Sequence, residues 1–435
     1  MVDERLSRRK VVAATAASSV LGLSGCIGGL GGDGGNGGNG NESDVEEVEL
    51  GDGEKQMEFA GWGDGVERET VEGMLESFAQ ERDEIAINYQ HVPDGYEDRL
   101  RTQFGAGEAP DTFYMGMEAS GSFEEVLVDL QPELDQELLD DMDQSVMDAV
   151  SPREGLYYLP KDFQYNALVH NTEVLSNAGY DEFPEHWEEF RSMLEAVRDE
   201  GEVEYPVVNG DPYWLTFALI AANGGQVMND DRSECVINSE ENVETFEYIR
   251  GLREDDLLGL PDEVASDGDF AQLGEGDAAM VYGGGWILAE LKSGYEDVNE
   301  VADIAAPPYP EGEEPGTLIL CAGYSISTET EYHDESLDLV NYLMGDGIMP
   351  WLETGIALSI RESHRDQVDL YEEDERYQEW FEFSEFPRLT AQEYGPNTQE
   401  IINTINPQLE GFYQGEIDPQ QTLETIEDEV NNILE

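Results

Sequence analysis

The chain has almost no lysine. Four occur, at Lys10, Lys55, Lys161 and Lys292, so nearly all the positive charge is arginine. Together 21 Lys+Arg stand against 100 Asp+Glu, for a net charge of −79. Such a surface repels a phosphate backbone and an anionic bilayer alike, which argues against nucleic acid as a partner. Cysteine is as scarce: beyond Cys26 near the start, only Cys235 and Cys321 occur. Two thiols make no disulfide framework, and both are expected to be buried as small hydrophobes. The five histidines, His91, His170, His186, His333 and His364, show no HxxxH or His-plus-Cys spacing, so no dedicated metal site is expected. There is no GxSxG, no SxxK, and no GK[ST] or GxGxxG beside Gly283-Gly284-Gly285, which removes the usual signatures of a nucleophile elbow and a phosphate cradle. With 100 acids, paired carboxylates carry no information about glycosidase chemistry. The expectation is a protein that is not an enzyme and needs no cofactor. No apolar run past the leader reaches the roughly 18 residues that a membrane span requires.

What is present begins with a targeting segment. Ser7-Arg8-Arg9-Lys10 is a twin-arginine region, and a short Ala- and Ser-rich apolar stretch runs from Val11 to Leu23. Leu23-Ser24-Gly25-Cys26 follows at once and resembles a lipobox, where a leader is cut and the cysteine lipidated. Residues 1–25 are therefore expected to be a Tat-type lipoprotein signal peptide, with Cys26 as the lipidation site. Loss of its four bases and two acids would take the charge from −79 to −81. Residues 26–53 are Gly-rich and then acidic, and are expected to form a tether with no core; such a coil spans roughly 25–30 Å.

Beyond the tether, 39% of the residues are hydrophobic, including six Trp and twenty Tyr, and the acids lie between periodic apolar positions. That pattern belongs to a folded chain. An acidic, lysine-poor but foldable composition resembles proteins of salt-loving microbes, where salt screens the repulsion. Strands are expected at Met57–Trp62, Ile85–Tyr89 and Pro110–Met115, separated by two helices, one with Val66, Val71, Leu75 and Phe78 on one face and one at Tyr96–Phe104 closed by Gly105. Strand–helix alternation predicts a parallel α/β sheet with its crevice beyond the strands' carboxyl ends. The stretch from Gly155 to Gly179 reads as a joint. Pro160 stiffens its entry, and Phe163, Tyr165, Ala167 and Val169 then alternate as in a strand leaving one body for another. After it the α/β pattern restarts. Its elements include a Pro206–Val208 strand, a Leu215–Ala222 helix, a Ser239-capped helix, a Leu318–Ile326 strand and a helical tail from Thr390.

Six aromatics, Trp62, Tyr114, Tyr213, Trp214, Trp286 and Tyr394, fall at strand ends or in loops beside Gly, Pro or an acid. Core aromatics sit within apolar stripes, as Phe78 and Phe246 do. Facing one crevice, rings of this kind would stack on pyranose C–H faces while carboxylates and amides take the hydroxyls.

Five stretches in register carry a family resemblance: AGEAPDTFYM at Ala106–Met115, LPKDFQYNALVHNTEVLSNAG at the joint, DPYW with IAANGG, FAQLGEGDAAMVYGGGW, and AQEYGPN at Ala391–Asn397. They resemble the extracellular solute-binding proteins of ABC importers, of the maltose-binding type. The resemblance implies a periplasmic-binding-protein-like (type II) fold, two α/β lobes joined by three crossings with the ligand cleft between them. The crossings would lie near Lys161–Asn166, Ala305–Pro310 and Gly345–Ile348. Lobe one would comprise 54–160 plus 306–343, and lobe two 161–305 plus 344–435. Positions that match the family's sugar-binding residues are Asp211, Tyr213, Trp214, Trp286 and Tyr394 from lobe two, with Trp62, Met115 and Glu118 from lobe one. Met115 stands where the maltose proteins carry a tryptophan, a departure that argues against maltodextrin. Gln164 stands where they have a glutamate, and Lys161, Asp162 and Gln164 would line the cleft floor.

The implied function is a monomeric receptor that captures an extracellular solute, foremost a sugar or oligosaccharide, and delivers it by lobe closure to ABC permease subunits. It would sit outside the cytoplasmic membrane, held through lipid at Cys26 and exported by the twin-arginine route. The alternatives are a receptor for glycerol phosphate, a polyamine or a peptide, and a surface lipoprotein without a transport role.

Overall fold

A computed structural model describes residues 45–435 other than 64, 94, 152–154 and 267. The leader, the lipidation site Cys26 and the Gly-rich part of the tether lie outside the described residues. Among the described residues no helix is long and apolar enough to cross a membrane.

Among the described residues thirteen strands make two sheets. The first orders as β1 (Glu46–Leu50), β3 (Ile85–His91), β2 (Lys55–Gly61), β4 (Thr112–Gly116), β11 (Gly316–Ile326), β5 (Leu159–Tyr165) and β12 (Leu358–Ser359), with β13 (Arg388–Ala391) also paired to β11. The second orders as β10 (Ala302–Ala305), β6 (Ala167–Asn171), β9 (Ala278–Gly283), β7 (Tyr205–Val208) and β8 (Leu258–Gly259).

The sheets are mixed rather than parallel. β2 runs parallel to β3 and β4, because the helices Gly65–Glu81 and Tyr96–Ala106 carry the chain back between them. β11 and β5, which carry the chain between bodies, enter antiparallel. The second helix runs to Ala106 and is capped by Gly107 at φ 72°, not by Gly105. β1 is a second correction, since the acidic end of the tether is a strand from Glu46 to Leu50, antiparallel to β3. Val48 and Leu50 share one face and pack toward the core, while Glu47 and Glu49 stay exposed on the other. Period two is satisfied by as few as two apolar residues, and a row of charges keeps this edge from pairing further.

The chain changes sheets within one residue. β5 ends at Tyr165 in the first sheet and β6 begins at Ala167 in the second. Asn166 lies between them, fully buried, its N–H donating to the Leu318 carbonyl at 2.9 Å and its carbonyl accepting from Thr317 Oγ1 at 2.6 Å. The first change of lobe is therefore at Asn166, and Lys161–Tyr165 belong to the first sheet. The second lies between β10 and β11. The third comes later than expected: the chain from 349 to 391 stays with the first body. Trp351, Tyr371 and Trp380 are buried in the core continuous with the first sheet, and β12 and β13 pair with β5 and β11. Thr390 and Ala391, expected to open the helical tail, end the strand Arg388–Ala391. The chain returns to the second core from Tyr394 on, with helices Thr398–Tyr413 and Pro419–Leu434 adding Ile401, Ile405, Leu409, Leu423 and Ile426. Cys321 lies in the first core and Cys235 in the second, both free thiols.

Candidate functional site

Four strand ends point at one cleft. Trp62 follows β2, Glu118 follows β4, Asp211 to Trp214 follow β7, and Trp286 follows β9, which is where ligands bind in sheets of this kind. The cavity they line is about 540 Å³, within the range of small-molecule sites. Gln164 of β5 and the buried pair Lys161–Asp162 lie on its floor.

Each group is held by its neighbours. The Trp62 ring stands edge-on to Tyr96 and Tyr114, at 5.0 and 5.1 Å. Trp286 donates from Nε1 to Asp269 Oδ2 at 3.0 Å and meets Trp214 edge-on at 5.6 Å. Asp211 caps the helix Pro212–Ala222, accepting from the Tyr213 N–H at 2.7 Å. That bond and the one from Trp214 favour the charged form, yet burial outweighs them and pushes the Asp211 carboxyl up. Burial, with Glu97 facing it, pushes the Glu118 carboxyl to about 7.

The triple glycine has a steric cause. Gln164 Oε1 accepts from the Gly285 N–H at 2.6 Å, and a Cβ on Gly284 would fall 2.0 Å from that oxygen. A Cβ on Gly285 would lie 2.5 Å from the Gly355 carbonyl oxygen and 2.7 Å from that of Ile356. Backbone here approaches backbone, and no side chain fits between. Gly285→Ala should therefore lower stability by about 1–3 kcal/mol, read as the shift in denaturant midpoint. An unchanged midpoint would contradict the close approach.

Seven of the nine expected ligand residues line this cleft: Trp62, Glu118, Gln164, Asp211, Tyr213, Trp214 and Trp286. Met115 does not. It is 1% exposed within β4, packed in the first core. Strand alternation turns it away from the crevice that Glu118, past the strand's end, can reach. Tyr394 lines a separate cavity of about 480 Å³ beside β13 and is joined to the cleft wall at Tyr213, hydroxyl to hydroxyl at 2.6 Å. Tyr213 itself is 2% exposed, stacked on Phe217 at 3.9 Å, so its part is mainly to shape the wall.

Other lining residues carried weaker sequence signals. Trp351 donates from Nε1 to Asp162 Oδ2 at 2.7 Å, and the Lys161 ammonium lies 3.5 Å from its ring centre. It satisfies the criterion used for the other aromatics, standing beside Pro350 near Gly355. Glu67 and Glu97 are acids among many, and Gln399 and Asn406 flank Ile402 on one face of helix Thr398–Tyr413. No sequence signal separates those four from solvated surface. Among the described residues, no three potential metal ligands come together.

Residues 63–350 match the profile described as bacterial extracellular solute-binding protein. The fold is similar to that of an ABC substrate-binding protein from Listeria monocytogenes solved with cycloalternan, at 18% identity and TM-score 0.77, covering 87% of this chain and 99% of that one. It is also similar to an ABC transporter solute-binding protein from Thermotoga lettingae bound to α-D-tagatose, at 21% identity and TM-score 0.78, covering 88% of this chain and 100% of the other. A maltose-bound protein from T. maritima matches at 17% identity and TM-score 0.78, over 87% and 99% of the two chains. No curated protein sequence matches.

Proposed function

We propose, for a chain that belongs to the bacterial extracellular solute-binding proteins, that the solute is a saccharide, captured between the lobes and passed to an ABC permease. One observation carries this reading. Three half-buried indoles, Trp62 from the first body and Trp214 and Trp286 from the second, line one cleft together with carboxylates and carboxamides. Rings take the apolar faces of a sugar, and the acceptors take its hydroxyls. Closure follows if ligand contacts both walls, since each contact then exists only in the closed arrangement. The ligands of the similar structures, cycloalternan, tagatose and maltose, support the same solute class.

The tether and its lipidated Cys26, with export through the twin-arginine route, complete the proposal. They rest on the order of twin arginine, apolar stretch and lipobox-like tetrapeptide.

The test is a titration of the purified chain in multimolar salt with mono- and oligosaccharides, followed by tryptophan fluorescence and by melting temperature. A saccharide at 100 times its Kd should add about 2.7 kcal/mol of stability. If no saccharide moves either signal, the carbohydrate reading fails.

A further inference from the structure

The cleft's side chains do not match every saccharide equally. Besides the three indoles, its lining holds the half-buried carboxylates Glu67, Glu97, Glu118 and Asp211. Among the described residues the one cation in the lining is Lys161, 2% exposed, bonded to Asp162 and laid on Trp351. It has no free charge to offer. Glu97 has Arg101 at 3.8 Å, one turn along its helix, while Glu118 has no ion pair among the described residues.

On a chain with 100 acids, a solvated carboxylate says nothing about a ligand. These carboxylates are screened from water. Burial is the largest cause pushing Glu97, Glu118 and Asp211 above their ordinary values, so a cation placed beside them would favour their ionised forms. A second observation agrees. The side-chain oxygens of Gln399 and Asn406, enclosed on the cleft face of their helix, have no hydrogen-bond partner among the described residues. The site is therefore rich in acceptors and aromatic faces, its donors are neutral amide and indole N–H groups, and it is poor in positive charge.

We propose that the solute is a saccharide bearing a protonated amine, an amino sugar, with its ammonium held among the indole rings and the Glu118 carboxylate. This rests on the saccharide reading above and narrows it. An ammonium brings three donors at one point, a charge that indole faces attract, and a counter-charge that draws the Glu118 carboxyl below about 7 into its ionised form. A neutral hydroxyl brings one donor and no counter-charge for Glu118. A uronate or sugar phosphate would meet like charge on every side.

The test uses the full chain and isothermal titration calorimetry with glucosamine, galactosamine and the β-1,4-linked glucosamine disaccharide. Each is compared with its N-acetyl form, which keeps the shape and loses the charge, and with its neutral parent, at a pH where the amine is protonated. The amines should bind at least ~10-fold more tightly than either comparison set, and Glu118→Gln should cut that preference below ~3-fold. Should Glu118→Gln fail to fold, Glu97→Gln carries the same comparison. Equal or tighter binding of the neutral or N-acetyl sugars overturns this inference and leaves the saccharide reading standing. So does an amine preference that both variants retain in full. Binding of no saccharide, or of putrescine ahead of all of them, overturns the saccharide reading and this inference with it.

Discussion

Trp286→Ala should weaken saccharide binding by roughly 10- to 150-fold, the equivalent of about 1.5–3 kcal/mol for a large apolar side chain's contact surface. Its indole is fixed from two sides, by the bond to Asp269 Oδ2 and the edge contact with Trp214. A ligand therefore meets a ring already in place, with little further ordering to lose. The ring is only half-buried, so most of the loss should appear in binding and not in folding. Asp269 supplies an internal check. Burial pushes its carboxyl up, and the Trp286 N–H is the foremost group opposing that shift. Removing the indole should also cost Asp269 its partner. Titration calorimetry against the tightest saccharide found reads the effect. An affinity within 3-fold of the parent would mean that this wall does not touch the ligand. Tyr394→Phe, by contrast, removes only the hydroxyl that bonds Tyr213, and should cost about 1 kcal/mol.

The second large effect is on stability against pH. Burial holds the Glu118 carboxyl at about 7 against an ordinary 4.5, with Glu97 and Glu393 the charged groups facing it. The folded state thus keeps a proton that the unfolded state has already released. Below about 4.5 both states hold it and Glu118 has no effect on stability. As pH rises from 4.5 to 7, ionising Glu118 in the fold becomes a growing penalty, levelling above 7 at an amount on the order of 3 kcal/mol. Glu118→Gln cannot ionise, so the variant and the parent should match near pH 4.5. They should separate upward, with the variant the more stable at pH 8. Denaturant midpoints for both proteins at pH 4.5, 6 and 8 test this. Parallel curves would show that the carboxyl is not held as described.

The cleft was largely legible because the strand-end rule needs only local sequence. An aromatic or acid just after a short apolar strand, beside Gly or Pro, identifies Trp62, Glu118, Trp214 and Trp286 without knowledge of their partners. Met115 was misplaced because alternation along β4 sets its direction, and family position says nothing about that phase. Lobe boundaries failed for a different reason. Leu358–Ser359 and Arg388–Ala391 are strands of two and four residues, too short for a periodic signal, and they join the first sheet only because β5 and β11 leave edges open to them. β1 was hidden by composition, since three of its five residues are glutamate. Tertiary pairing, not propensity, decided each of these.

β11 has a consequence for how the chain matures. It is the hub of the first sheet, pairing with β4, β5 and β13, so Ala322 meets Gly116 across about half the chain. Until residues 316–326 have been made, β4 and β5 both present bare edges on that side, the kind of surface that aggregates. Contacts this distant in sequence slow folding, and the first sheet cannot close until residue 326 of 435 has been made. A chain ending at residue 315 should yield aggregate and not a soluble half-protein, and a chaperone acting during synthesis would have to shield those edges until then.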